Sequence, residues 1–251
     1  MDATLAPTLA LMILVGFALG IFGGGGSILA VPVLVYVAHL TPSTAIGMSL
    51  AIVGTTSLVG SYAHHRRGQV DHRVALLFGG AGVATAYVGA RLTPLASGRA
   101  LMLTFAVMLM VVGAWMLLGQ RRATAAGNTE RPSSPRLAHA LIAGAAVGAV
   151  SGFLGVGGGF LAVPALIAFT GLDMRKAVGT SLLVIAINSA AGFLGHLSGD
   201  RLDFELVAML TAAAILGAIV GARVARRVSV LKLRVGFALF VIAVGIGVAA
   251  Q

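Results

Sequence analysis

Ser49, Thr56, Gly60 and His64 follow one another at spacings of seven, four and four residues, so they fall on roughly one face of a helix. Ser181, Asn188, Gly192 and His196 repeat the pattern. Hydroxyl and amide groups set into apolar helices supply neutral hydrogen-bond donors, a chemistry suited to the oxygens of a small anion. An amide such as that of Asn188 is costly in hydrocarbon and must face a partner or a cavity. His64 and His196 stand near the ends of their segments, where an imidazole titrating near neutrality serves gating or proton relay. Each residue type also has a plainer use. An interhelical hydrogen bond would satisfy Asn188, back-bonding would satisfy the hydroxyls, and an interfacial position suits the histidines.

A second group of candidates is made of backbone. The stretch GFALGIFGGGGSILAVPVL, Gly16 to Leu34, recurs as GAVSGFLGVGGGFLAVPAL, Gly148 to Leu166. Gly23, Gly25, Gly26 and Ser27 in the first copy, and Gly155, Gly157, Gly158 and Gly159 in the second, interrupt otherwise apolar helices, with Pro32 and Pro164 assigned as helix breaks. A half-helix that begins after such a break presents unpaired N–H groups and about half a positive charge, which favours an anion. Glycines also let membrane helices pack closely, which is the competing use.

Other chemistries are poorly served. The chain has no cysteine, which excludes disulfides and thiolate sites. Asp71, Asp173, Asp200, Asp203 and Glu205 all fall in expected loops, so no carboxylate pair is buried. Neither a zinc-ligand spacing nor a nucleophile elbow is present. The expectation is a protein that is not an enzyme, with no metal site and no cofactor. A coupling proton or sodium ion stays open, the latter only at a site of carbonyls and hydroxyls.

The elements that must hold these residues are membrane helices. Of 251 residues, 59% are hydrophobic and 10% charged, and the mean hydropathy is +1.03. Several runs reach the roughly 20 apolar residues that cross a bilayer. The N-terminus reads as a retained first helix, because Asp2 stands where a cleaved leader carries a cation. The net charge of +10 lies in short clusters between apolar runs, so the partner is the lipid bilayer and not nucleic acid.

The glycine motif is part of a longer duplication. The register persists without a gap, so that Gly47 meets Gly179, His64 meets His196 and Arg91 meets Arg223. Residues 1–119 form a first repeat, 120–136 a polar linker and 137–251 a second repeat, together one transport domain. In the first repeat the segments read as 5–22, 28–40, 43–63, 74–90 and 100–118.

Charge decides the topology. If 5–40 were one span, the 17 Lys and Arg would divide evenly between the two sides. If the glycines mark a reversal, one side keeps only Arg91, Arg99 and Arg201, and the other holds the remaining 14. The positive-inside rule selects the second arrangement, with termini outside and linker cytoplasmic. The expected fold is therefore all-α and polytopic. Two inverted-topology repeats each comprise a glycine-broken helix pair or hairpin plus three transmembrane helices. Full spans and re-entrant hairpins give the same tally, and both stay open.

The duplicated motif, with KAVGTSLLVIAINSAAG after its second copy, resembles the TauE/SafE family of membrane permeases, the sulfite exporters. The likeness covers both halves outside the linker; Met48 departs from the pattern kept at Thr180, and Gly24 stands where the second copy has Val156. The resemblance implies a bacterial or archaeal inner-membrane transporter exporting sulfite, organosulfonates or related organic anions. It implies a site of Gly23, Gly25, Gly26, Pro32, Gly155, Gly157, Gly158, Pro164, Ser49, Thr180, Ser181 and Asn188. The function expected is a secondary transporter working by alternating access. A passive anion channel or a non-transporting membrane subunit are the alternatives, and the oligomeric state stays open.

Overall fold

The computed structural model describes residues 2–125, 137–155, 158–196 and 202–228, with short stretches between 235 and 247. Every regular element among them is helical. The first half comprises α1 (Asp2–Phe22), a 3-10 turn (Gly23–Gly26), α2 (Ser27–Tyr36), α3 (Pro42–His65), α4 (His72–Leu92) and α5 (Gly98–Ala125). The second comprises α6 (Leu137–Leu154), α7 (Gly159–Thr170), α8 (Met174–His196) and α9 (Phe204–Val224). Among the described residues, five helical stretches are long and apolar enough to cross a membrane: 4–36, 42–65, 72–95, 174–196 and 204–224. The chain is a polytopic α-helical membrane protein.

The helix starts carry their own signals. Thr41 caps α3, with Pro42 at the first helical position. Asp71 caps α4 through Val74 N at 3.0 Å, and its repeat counterpart Asp203 caps α9 through Leu206 N at 3.0 Å.

The stretch 4–36 is not one straight rod. In a continuous helix Val15 and Gly26 would be about 16 Å apart along the axis. A Cβ placed on Gly26 instead overlaps the backbone of Leu19 and Val15, so the chain folds back on itself. The turn is made at Gly23, whose φ is +70°. The second copy does the same: a Cβ on Gly158 would lie 2.9 Å from Val147 Cγ1 and 3.0 Å from Ser151 Cβ. The returning legs are short, 10 residues in α2 and 12 in α7. At 1.5 Å per residue they reach about 15 and 18 Å, roughly half a bilayer core. The geometry is that of hairpins and not of paired full spans.

Two expectations are corrected. The second segment ends at Tyr36 and not at residue 40, because the chain curls over its own end, with Ala38 N bonded to Val33 O and Leu40 N to Leu34 O. Pro32 and Pro164 do not break helices; each lies inside α2 or α7. A proline removes one N–H but keeps helical φ, so the helix continues through it, and the reversal is left to glycines at positive φ.

The halves interlock. The most extensive helix interfaces join α4 to α6 and α1 to α9, followed by α4 to α8 and α3 to α8. Gly16 and Gly20 of α1 abut Ala214 and Ala218 of α9, while Gly148 and Gly152 of α6 abut Gly82 and Ala86 of α4. These pairs are repeat counterparts, and both run parallel. Only glycine leaves room there, since a Cβ would enter the neighbouring backbone. Helices α3 and α8 run antiparallel: Gly47 approaches His196, Gly54 approaches Ser189, Gly60 approaches Leu182, and Gly179 lies against His64.

Candidate functional site

The two glycine breaks meet inside this bundle. A Cβ on Gly24 would overlap the backbone of Gly159, and Gly159 is also packed against Ile185 of α8. Each turn seats on the third helix of the other half. Gly23 lies against Ser181 and Val178 of α8, and Gly155 against Ile46 of α3. Ser49 Oγ lies within reach of Ile46 O at 2.9 Å and also donates to Gly155 O. The exchange is reciprocal because Ser49 and Ser181 occupy the same repeat position.

Following each hydroxyl proton separates structural from available donors. Ser27 Oγ donates to Gly24 O at 2.6 Å, and Ser181 Oγ to Val178 O at 2.8 Å. Thr180 Oγ1 accepts from Asp71 N at 3.0 Å, tying the α3–α4 loop to α8. Ser27, Ser49, Thr180 and Ser181 therefore brace the turns and loops. Gly25 and Gly26 are buried within the first turn, and Ser27 N closes it onto Gly24 O and Gly25 O. Gly157 lies outside the described residues.

Thr56 and Asn188 behave differently. Both are buried, and neither Thr56 Oγ1 nor the Asn188 amide has a hydrogen-bond partner. They are repeat counterparts near the middle of α3 and α8. The Asn188 amide faces a glycine: a Cβ on Gly82 would lie 2.5 Å from Oδ1 and 2.8 Å from Nδ2. Three further hydroxyls, Ser57, Ser189 and Ser151, are equally buried and unpartnered. Ser57 and Ser189 are again repeat counterparts, a signal present in the sequence. Ser151 pairs with Leu19 in the repeat, so nothing there marked it out.

These five side chains hold four hydroxyl protons and two amide N–H groups, all buried. No Asp, Glu, Lys or Arg is buried among the described residues. Neutral hydroxyl and amide groups of this kind can donate to an oxyanion without offering a countercharge. No group of three or more His, Asp or Glu that could hold a metal ion occurs among the described residues.

His64 and His196 are buried at opposite ends of the α3–α8 pair. His64 Nδ1 is 2.9 Å from Gln69 Oε1, and His196 Nδ1 is 3.2 Å from Gly192 O. Neither approaches the mid-span residues of its own helix.

Comparison with known proteins places the chain among membrane transporters. The family model for sulfite exporter TauE/SafE matches residues 8–248. A probable membrane transporter protein of Xylella fastidiosa (strain 9a5c) is 39% identical over 237 residues, covering 93% of this chain and 90% of the relative. The probable membrane transporter protein YdhB of Bacillus subtilis (strain 168) is 30% identical over 212 residues, 84% of this chain and 86% of its own. A probable membrane transporter protein of Methanocaldococcus jannaschii is 23% identical over 201 residues, 76% of this chain and 73% of its own. No solved structure matches the chain. With a family match that runs through both repeats and the linker, the chain belongs to the TauE/SafE sulfite exporter family of membrane transporters.

Proposed function

We propose that this protein is a secondary transporter of small anions, with sulfite, organosulfonates or related organic anions as its substrate class. It works by alternating access around the paired hairpins. The observation that carries this reading is the unpartnered set of Thr56, Ser57, Ser151, Asn188 and Ser189. Hydrocarbon offers no water to satisfy such groups, and each one left unmet costs about 1–3 kcal/mol. A ligand that accepts their protons removes that cost. Repeat counterparts on α3 and α8 place donors in both halves, as a site shared between two rocking repeats requires.

Residues 1–119 and 137–251 act together in this reading, joined by 120–136. The antiparallel course of α3 and α8 supports inverted repeats, because counterpart helices in parallel repeats would run the same way. The hairpin reversals support the 14-to-3 division of Lys and Arg, hence a cytoplasmic linker and external termini in a cell inner membrane. Coupling to a proton or sodium gradient belongs to the same proposal, with His64 and His196 as proton carriers remote from the anion.

The test is flux into proteoliposomes for a panel of sulfite, sulfate, sulfonates and small carboxylates, with and without a pH gradient. Gradient-driven accumulation of at least one anion is expected. Asn188→Leu should abolish it while leaving a monodisperse protein. Flux without accumulation would make the protein a channel, and no response to any anion would remove the transport reading.

A further inference from the structure

The Asn188 amide stands where α4, α6 and α8 meet on glycine. Gly148 of α6 abuts the backbone of Gly82 on α4, and a Cβ on Gly192 of α8 would lie 3.4 Å from Gly152 Cα on α6. Gly82 itself is buried. The three atoms nearest its missing Cβ all belong to Asn188: Oδ1 at 2.5 Å, Nδ2 at 2.8 Å and Cγ at 3.0 Å. The amide thus occupies the place that a methyl group on α4 would take.

Another α4 glycine on the same interface is less constrained. A Cβ on Gly79 would lie 3.1 Å from Ile187 Cδ1, the tip of a side chain that can turn aside. Asn188 is fully buried, and its amide would have to retreat by about 1 Å to regain an ordinary carbon–oxygen contact. Adding one methyl at position 82 therefore moves the amide, whereas adding one at position 79 moves only an alkyl end.

The other half makes the opposite choice at both positions. In the repeat, Thr56 is the counterpart of Asn188 and Ala214 that of Gly82, and the counterpart interface joins α3 to α9. Thr56 and Ala214 are buried as well. The side chain of longer reach accompanies the missing methyl, and the shorter one accompanies the methyl that is present. Two changes that compensate in reach mark a steric pair.

We infer that Gly82 is a positioning residue of the mid-span donors: its missing side chain sets where the Asn188 amide stands, and through it how tightly an anion is held. The consequence for the anion rests on the transporter reading; the pairing of Gly82 with Asn188 does not.

A double-mutant cycle on the full chain in proteoliposomes tests it. In the parent, Gly82→Ala should raise the half-saturating sulfite concentration about tenfold, the effect of losing one hydrogen bond to a charged group. In the Asn188→Thr background, which then copies the pair at Thr56 and Ala214, the same change should shift it by less than about twofold. Gly79→Ala should leave half-saturation as it is in the parent. An unchanged half-saturation in Gly82→Ala would overturn the proposal. So would equal shifts in the two backgrounds, or a Gly79→Ala effect as large as that of Gly82→Ala. Thermal melts of the same proteins read the pairing without transport, since Gly82→Ala should lower the melting temperature and adding Asn188→Thr should return most of the loss. If Gly82→Ala gives no folded protein, recovery of a folded double variant upholds the pairing, and failure to recover one overturns it. Coupled melts in a protein that moves no anion would uphold the pairing and remove the transport reading alone.

Discussion

The two glycine breaks share one motif but reverse the chain by different backbone routes. In the first, a single left-handed residue, Gly23 at φ +70°, is followed by right-handed glycines that run through a 3-10 turn into α2. In the second, Gly155 and Gly158 are both left-handed, at φ +68° and +64°, and Gly158 caps α7. Gly26 and Gly158 occupy the same repeat position, yet Gly26 has an ordinary helical φ of −65°. One glycine is needed for space and the other for conformation. Shared sequence therefore conserves the reversal and not the path taken through it.

The largest effect should come from the place where the two routes touch. Gly24→Val puts a branched side chain into the backbone of Gly159, and no rotamer relieves a clash with main chain. The hairpins must separate, so the variant should give no monodisperse protein by fluorescence-detected size-exclusion chromatography. A folded Gly24→Val protein would mean that the breaks are not in contact.

The next comparison separates space from conformation directly. Gly26→Ala leaves φ unstrained but drives its methyl into the Leu19 backbone, at a cost of about 3 kcal/mol. Gly158→Ala costs less, about 2 kcal/mol, from the left-handed conformation and from milder crowding, with Val147 Cγ1, Ser151 Cβ and Val147 O at 2.9 to 3.1 Å. Combining Gly158→Ala with Ser151→Gly should recover part of the second loss, whereas no side-chain deletion should rescue Gly26→Ala. Thermal melts in detergent read both.

A smaller effect of opposite sign is expected at the donors. Thr56→Val keeps the shape and deletes a buried hydroxyl without a partner, so it should stabilise the ligand-free protein by about 1 kcal/mol. The same change should weaken anion flux about tenfold, as the loss of one hydrogen bond to a charged group does. A less stable variant with unchanged flux would show that Thr56 serves packing.

The fold was largely legible because its signals are periodic or cumulative. Hydropathy marked the helices, the duplication marked their counterparts, and the charge count favoured a reversal at the glycine run 23–26. The site was half legible. Asn188 and Thr56 stood out by type and repeat position, and both are unpartnered. Ser27, Ser49 and Ser181 carry the same hydroxyl but donate it to Gly24, Gly155 and Val178, and Thr180 accepts from Asp71 N. Three of those four partners are backbone groups distant in sequence or created by the turns, so residue type alone could not separate bracing hydroxyls from available ones. The length of α2 was hidden likewise, because the curl after Tyr36 depends on His39 adopting φ +53°, a conformation no hydropathy pattern encodes.

That curl supplies the finest test of the comparison between halves. His39 and Gly171 are repeat counterparts, and each stands left-handed just beyond a returning leg, at φ +53° and +69°. Gly171 is the usual residue for such a helix end, and a side chain there would meet open space. His39 is exposed and bears the cost of that conformation without the freedom of glycine. His39→Gly should therefore stabilise the protein by about 1 kcal/mol, and Gly171→Ala should destabilise it by about the same amount. Both variants should transport like the parent. Shifts of the same sign in the two melts would mean that the returning legs end by unrelated turns, and the correspondence between the hairpins would stop at their tips.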